Sequence, residues 1–420
     1  MFLFVRLEAE FIEKIVGDVL GKLHAMSSSH TMAGLFGIDV RVSKVESLLN
    51  MESPDVLIVG IWGMGGIGKT TIAKAVRNNM YIRSRFDRIF YANFRQKSDL
   101  RRKFLKQLLG QETLGSLSFR DSFVRERLSR IKILIVLDDV HNLMHLEEWR
   151  DLLDGRNNSF GPGSKVLITS RDKQVLNNVV DENKTYKVKE LNYEEAIQLF
   201  RSNALKNCIP TIDQMHMIEQ IPRHVQGNPL ALKVLGSSFY GKSMEVWRSA
   251  LNKLDQNRNI KDVLRISYDG LDSEQQSIFL DIAHFFINWN PDEATRILDC
   301  LHGRSVISDI TTLIDNCLIT NVDSSCDEWQ LDCLYGRSVN FDIYTLLDQC
   351  LVNTSHISLE MHDLLREMAF NIVRAESRFP GKRSRLCHPP DVVQVLEENK
   401  VRATAINCRS CICTIVDVFE

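Results

Sequence analysis

The sequence predicts an α/β domain built on a parallel sheet, followed by an all-helical region. Three observations predict this. Residues 56–61, 89–94, 133–137 and 165–169 are short runs rich in β-branched residues, and helical patterns lie between them. Strands alternating with helices form parallel sheets covered on both faces, so each strand reads as a nearly continuous apolar run. Beyond about Asn192 the strand signals stop and amphipathic helical patterns take over. The chain has 420 residues, 44% hydrophobic and 25% charged, which suits a globular protein of several domains.

Taken in order, residues 11–23 carry apolar side chains at helical spacing, and Ser27-Ser28-Ser29 marks a linker. A short helix is expected over 42–49, ended by Ser53-Pro54. Within the α/β region helices are expected at 69–79, 100–109 and 143–153. The later helices are expected at 193–204, 212–225, 230–237, 260–267 and 274–286. After Trp289 come short helices with weak strand signals at 317–320 and 357–360.

One repeat stands out. LDCLHGRSV at 298–306 recurs as LDCLYGRSV at 331–339, and LIDNCL at 313–318 recurs as LLDQCL at 346–351. Solenoid arrays need about three copies to be stable, so two copies read as a tandem duplication inside one small domain.

Several classes are disfavoured. The net charge of −2 gives no global nucleic-acid footprint. No apolar run approaches the ~20 residues of a membrane helix. The opening MFLFV is too short for a signal-peptide core, and Arg6 follows it rather than precedes it. The ten cysteines lack an even framework spacing and read as reduced thiols in a cytosolic or nuclear setting. Cys408, Cys411 and Cys413, with Cys387 and His388 upstream, lack the paired spacing of structural zinc sites and read as an incidental thiol-rich tail. Arg101-Arg102-Lys103 reads as a solvated helix face.

The strongest chemical signal is GMGGIGKT at 63–70, between an expected strand and an expected helix. Glycines let backbone N–H groups close around phosphates, and the helix N-terminus adds favourable partial charge. Lys69 can reach the β- and γ-phosphates, and the Thr70 hydroxyl can hold Mg²⁺. The second signal is ILIVLDD at 133–139, an apolar strand ending in two carboxylates. Asp138 suits the Mg²⁺ shell and Asp139 suits the polarising of an attacking water, although an aspartate at a strand end is also a common helix cap. The third is KVLITSR at 165–171, which puts Arg171 on the carboxyl edge of the sheet, where ligands of open α/β sheets bind. An arginine there can meet a γ-phosphate or simply face solvent.

In this order the motifs resemble the NB-ARC module of plant intracellular immune receptors. GIWGMGGIGKTT (60–71) resembles the P-loop of the subclass carrying an N-terminal TIR domain. LIVLDDV (134–140), GPGSKVLITSRD (161–172), GNPLAL (227–232), FLDIA (279–283) and MHD (361–363) resemble its other motifs. The resemblance implies a P-loop NTPase domain, a helical domain and a winged-helix domain around one nucleotide, an ADP/ATP switch with Mg²⁺. It implies a linker helix at 1–30, the nucleotide-binding domain at 31–191, the helical domain at 192–288 and the winged-helix domain, with its duplication, at 289–380. It implies phosphate contacts from the loop of Gly63, Gly65, Gly66, Ile67, Gly68, Lys69, Thr70 and Thr71. Asp138 and Asp139 would serve Mg²⁺ and hydrolysis, with Thr70 and Asp138 as metal ligands. Arg171 would sense the γ-phosphate, Pro229 would pack near adenine, and Phe36 and Ile38 would lie against the base from the other side. His362 would reach the β-phosphate of ADP and hold the closed form. A nucleotide shifts such an equilibrium only through its different affinity for the two forms.

On this reading the chain begins in what resembles the linker after a TIR domain. Residues 385–400 resemble the bridge into leucine-rich repeats, with 381–420 a truncated bridge, so both the TIR and repeat regions are expected to be missing. The second repeat copy leads directly into MHD, so it is expected to keep the native register, with the first copy an extra lobe or insertion. Catalysis is expected to be at most a slow Mg²⁺-dependent ATPase that resets the switch. The expected partners are ADP or ATP, and then a second copy or full-length receptors, with neither membrane nor nucleic acid. The alternative is a nucleotide-binding adaptor or non-signalling remnant that associates with full-length receptors. A metabolic P-loop enzyme would show fast turnover, and a winged-helix DNA regulator would show salt-sensitive duplex binding.

Overall fold

The computed structural model describes residues 34–94, 100–109, 122–142, 146, 149, 153, 160–206, 208–256, 260–323 and 357–397. The chain forms two compact units, one within 1–199 together with 227–230, the other within 200–226 together with 231–420.

The first unit is a five-stranded sheet in the order β2-β3-β4-β1-β5, with every pair parallel. The strands are β1 (Leu57–Trp62), β2 (Arg88–Asn93), β3 (Ile133–Asp138), β4 (Lys165–Ser170) and β5 (Thr185–Lys187). All six residues of β3 and of β4 are buried. Their side chains alternate between faces: Ile133, Ile135, Leu137, Val166 and Ile168 join one apolar cluster, and Leu134, Val136 and Leu167 join another. This two-residue period is why the sheet needs helices on both sides. The first cluster is anchored by Phe90, Phe104 and Trp149, whose ring centroids lie 4.8–5.8 Å apart. The second takes its cover from the helix Lys69–Asn78, through Ile72, Ala73 and Val76, and from the helix Ile38–Leu49.

β1 to β4 lie within a residue of their expected positions. The edge strand β5 was not anticipated, because Thr-Tyr-Lys is too short to show a period. The helix expected at 42–49 starts at Ile38. Gly37 precedes it in the left-handed region (φ 68°), and Arg41 Nη1 donates back to the Gly37 carbonyl at 2.7 Å. Of the helix expected at 143–153, the described residues Leu146, Trp149 and Leu153 are all buried. The helix expected at 11–23 and the cysteines beyond 400 lie outside the described residues.

Among its described residues the second unit is helical with one antiparallel strand pair, β6 (Thr320–Asp323) with β7 (Ile357–Glu360). Phe200, Phe239 and Trp247 form a ring cluster, and Trp247 Nε1 donates to the Phe239 carbonyl at 3.0 Å. The single helix expected over 212–225 is two, Ile212–Ile218 and Ile221–Val225. Pro222 lacks the N–H that would continue the first helix, and it sits in the opening turn of the second. The helix expected over 274–286 is Ser273–Asp281, followed by a wider π turn at Ile282–Phe286. A helix at Met244–Gln256 was not anticipated.

The duplication corrects an expectation. The first copy is no extra lobe: Leu298, Val306, Leu313 and Leu318 are each fully buried. Asp299 Oδ1 accepts the Val306 N–H at 2.7 Å, Arg304 pairs with Asp309 at 2.7 Å, and the chain runs on into β6. The reason lies upstream. Asn290 caps the helix Pro291–His302, and Ala294 and Leu298 stand one turn apart on its buried face, so the first copy enters the core on a well-started helix. Cys317, at φ 56°, ends the next helix, so the strand expected at 317–320 begins at Thr320. The second copy lies outside the described residues.

Candidate functional site

β1, β4 and β3 are consecutive in the sheet and parallel, so their carboxyl ends share one edge. The loop 63–68, Arg171 and the Asp138-Asp139 pair follow these three ends. Gly66 and Gly68 adopt φ 75° and 98°, which only glycine takes without strain. A Cβ on Gly66 would stand 2.9 Å from both Asn228 Oδ1 and Leu230 Cβ.

Lys69 is only 7% exposed, and its Nζ donates to the Gly63 and Met64 carbonyls at 2.8 and 2.9 Å. The ammonium thus lies folded along its own loop. Thr70, next on the same helix, donates through Oγ1 to Asp138 Oδ1 at 3.1 Å. Asp138 is fully buried and accepts two more hydroxyls, Thr169 on Oδ1 at 2.6 Å and Tyr91 on Oδ2 at 2.9 Å. Thr169 Oγ1 also accepts the Asp139 N–H at 2.9 Å. Asp139 has a left-handed backbone (φ 58°), uncommon for a residue with a side chain, and its Oδ1 lies 3.7 Å from Arg171 Nε. The Arg171 carbonyl accepts the Trp62 indole N–H at 3.1 Å.

The segment 227–230 closes on this loop. Asn228, 3% exposed, donates through Nδ2 to the Gly65 carbonyl at 3.1 Å, and the Leu230 N–H donates to the Gly66 carbonyl at 3.2 Å. With these carbonyls drawn toward 228–230, Pro229 sits between two residues bonded to the glycine loop. At the other end of the unit's sequence, Ile38 and Ile67 are buried in one apolar cluster, and Phe36 is half-buried.

The structure therefore brings together Gly63 to Thr71, Asp138, Asp139, Arg171 and Pro229. His362 belongs to the second unit, where its Nδ1 accepts the Leu364 N–H at 3.1 Å and caps the helix Asp363–Glu376. Tyr91, Thr169 and Asn228 were missed. Asn228 lies within GNPLAL, next to Pro229. Tyr91 and Thr169 could be found only with the strand register in hand.

The donor set fits a nucleotide with a hard cation: a glycine cradle that a Cβ would fill, a lysine, and hydroxyl and carboxylate oxygens. Lys69 and the loop amides would hold phosphates, and Thr70 and Asp138 would hold Mg²⁺. Among the described residues no cluster of His, Cys, Asp and Glu suits another metal, and no helix is long and apolar enough to cross a membrane.

A parallel sheet with this loop and these carboxylates, followed by helices and a winged-helix segment, defines a P-loop NTPase of multidomain type. Residues 39–209 match the NB-ARC domain, and residues 317–377 match the winged-helix domain of Roq1-like disease resistance proteins. The chain carries an NB-ARC domain and a Roq1-like winged-helix domain, and its homologues are plant disease resistance proteins. It is 34% identical over 403 residues to disease resistance protein RPV1 of Vitis rotundifolia, covering 93% of this chain and 26% of that protein. It is 32% identical over 408 residues to TMV resistance protein N of Nicotiana glutinosa, covering 93% and 32%. The chain thus spans about a quarter to a third of these relatives. Among solved structures it is similar to a signal transduction ATPase with a tetratricopeptide repeat sensor from Pyrococcus horikoshii. There the TM-score is 0.47 at 17% identity, over 86% of this chain and 45% of that one.

Proposed function

We propose that this chain is a nucleotide-dependent switch of plant innate immunity, holding ADP at rest and passing to an ATP form, with Mg²⁺ at Thr70 and Asp138. One observation carries the reading. A glycine loop, a buried lysine and a buried carboxylate hydrogen-bonded to the P-loop threonine meet at the carboxyl edge of a parallel sheet. The closing of 227–230 onto the loop supports it, because a ligand there would meet strand, loop and helix together. Arg171, whose Nε lies 3.7 Å from Asp139 Oδ1, would exchange that partner for a γ-phosphate. Phe36, Ile38, Pro229 and His362 enter through the family resemblance. Any hydrolysis is slow and resets the switch. Immune signalling, self-association and association with full-length receptors belong to the same proposal, as does an intracellular setting.

The test is the nucleotide that co-purifies. The chain is purified and denatured, and the supernatant is chromatographed beside that of Lys69→Ala. Stoichiometric ADP in wild type, absent from the variant, is the expected result. ATP in its place would indicate an open, deregulated form. No nucleotide from a folded, monodisperse sample would overturn the switch, and the adaptor reading would take its place.

A further inference from the structure

Tyr91 stands outside every motif of the sequence, yet it touches the centre of the site. It lies on β2, in register with Val136 of β3, while Asn93 is in register with Asp138. Its hydroxyl donates to Asp138 Oδ2 at 2.9 Å, on the oxygen opposite the one that takes Thr70 and Thr169. A carboxylate bonded on one oxygen can swing about its side-chain torsion. Bonded on both, it is fixed in plane. The ring of Tyr91 is itself held. It packs against the apolar cluster under the sheet, and the guanidinium carbon of Arg77 lies 5.0 Å from its centroid. Arg77 is 8% exposed and stands on the same helix as Lys69 and Thr70, two turns further on. A cation over a phenol ring withdraws electron density and strengthens its O–H as a donor. One helix thus reaches Asp138 twice, directly through Thr70 and indirectly through Arg77 and Tyr91.

We propose that Tyr91 is a positioning residue that orients the Asp138 carboxylate toward a divalent cation shared with Thr70, with Arg77 holding the phenol in place. The inference rests on the nucleotide reading above, and it adds to it a residue that acts on metal affinity through Asp138. Groups that hold a metal ligand from behind commonly change metal affinity by an order of magnitude when removed.

The experiment follows release of N-methylanthraniloyl-ADP from the full chain as Mg²⁺ is titrated, and again in excess EDTA. Tyr91→Phe keeps the ring and the Arg77 contact and removes only the hydroxyl. The expected result is a half-saturating Mg²⁺ concentration raised about 10-fold, with release in EDTA matching wild type. Asp138→Asn should abolish the Mg²⁺ effect in both backgrounds. A Tyr91→Phe midpoint equal to that of wild type overturns the proposal. So does release accelerated equally with and without Mg²⁺, which would make the hydroxyl a general structural support. If wild type itself retains labelled ADP but shows no Mg²⁺ dependence, the metal role falls for Tyr91 and Asp138 alike. If wild type retains no labelled ADP, the nucleotide reading falls, and this inference with it.

Discussion

Asp138 and Asp281 are both shielded carboxylates, and they are satisfied in opposite ways. Asp138 accepts three hydroxyls, from Thr70, Tyr91 and Thr169. Asp281, with a side chain 14% exposed, meets Arg385 Nε on one oxygen at 2.6 Å and His302 Nε2 on the other at 2.9 Å. Arg385 also donates to the Ser277 carbonyl and hydroxyl at 2.9 and 2.8 Å. Hydroxyls satisfy hydrogen bonding without cancelling charge, whereas an arginine does both. The first arrangement keeps a carboxylate receptive to a cation. The second is a staple that joins three segments of the second unit. Burial of a charge alone does not mark a functional site; the partners decide.

That contrast can be broken or sharpened experimentally. The largest effect is expected at the site. Lys69→Ala should lower nucleotide affinity on the order of 100-fold, the ~3 kcal/mol of a strong charge-assisted contact, and should leave the melting temperature without nucleotide nearly unchanged. Isothermal titration and thermal scans read the two quantities separately. Asp281→Ala should do the reverse, removing about 2 kcal/mol of stability, less than a fully buried pair loses because the group keeps some solvent. Its affinity for nucleotide should stay near wild type, and an affinity that fell with stability would erase the distinction between site and staple.

A third effect depends on pH. Burial lowers the His284 pKa to about 4, against the opposing pull of the Leu280 carbonyl, which accepts its Nδ1–H at 2.7 Å. The unfolded chain therefore takes up a proton that the folded one refuses. Stability is full above about pH 6.5 and declines as pH falls toward 4. Between pH 7 and 5 the loss is about 2 kcal/mol, measured by urea unfolding, and His284→Phe should flatten that slope. The smallest change is expected for Asp138→Asn, within about 1 kcal/mol in stability, since the amide oxygen can still accept the Thr70 and Thr169 hydroxyls while the amide N–H donates to the Tyr91 hydroxyl oxygen. A large loss of stability there would make Asp138 a second staple.

Much of this was legible in the chain. Strands β1, β3 and β4 announce themselves as apolar runs, and GMGGIGKT names its own chemistry through glycine spacing. What was hidden depends on register. Tyr91 meets Asp138 because β2 pairs with β3 residue by residue, and Thr169 meets it because β4 lies alongside. Neither pairing is encoded by local periodicity. Asn228 closes on the loop from more than 150 residues away. The duplication misled for a similar reason. Two near-identical segments have the same pattern, and the Asn290 cap that starts the helix leading into the first copy stands outside the repeat.

The position of β1 has a consequence for biosynthesis. Its neighbours are β4, where Leu57 pairs with Lys165, and β5, where Gly60 pairs with Thr185. The strand that carries the phosphate loop is thus made first of the five and completed last. At ~5–20 residues per second on the ribosome, roughly 6–25 s pass between the synthesis of β1 and that of β5. Until β4 is made, which takes roughly 5–20 s of that interval, the apolar strand LIVGIW has neither of its native neighbours. The loop at 63–68 is itself made early, but the strands that flank β1 are late products of translation, so nucleotide is expected to grip this unit only after β4 and β5 have joined it.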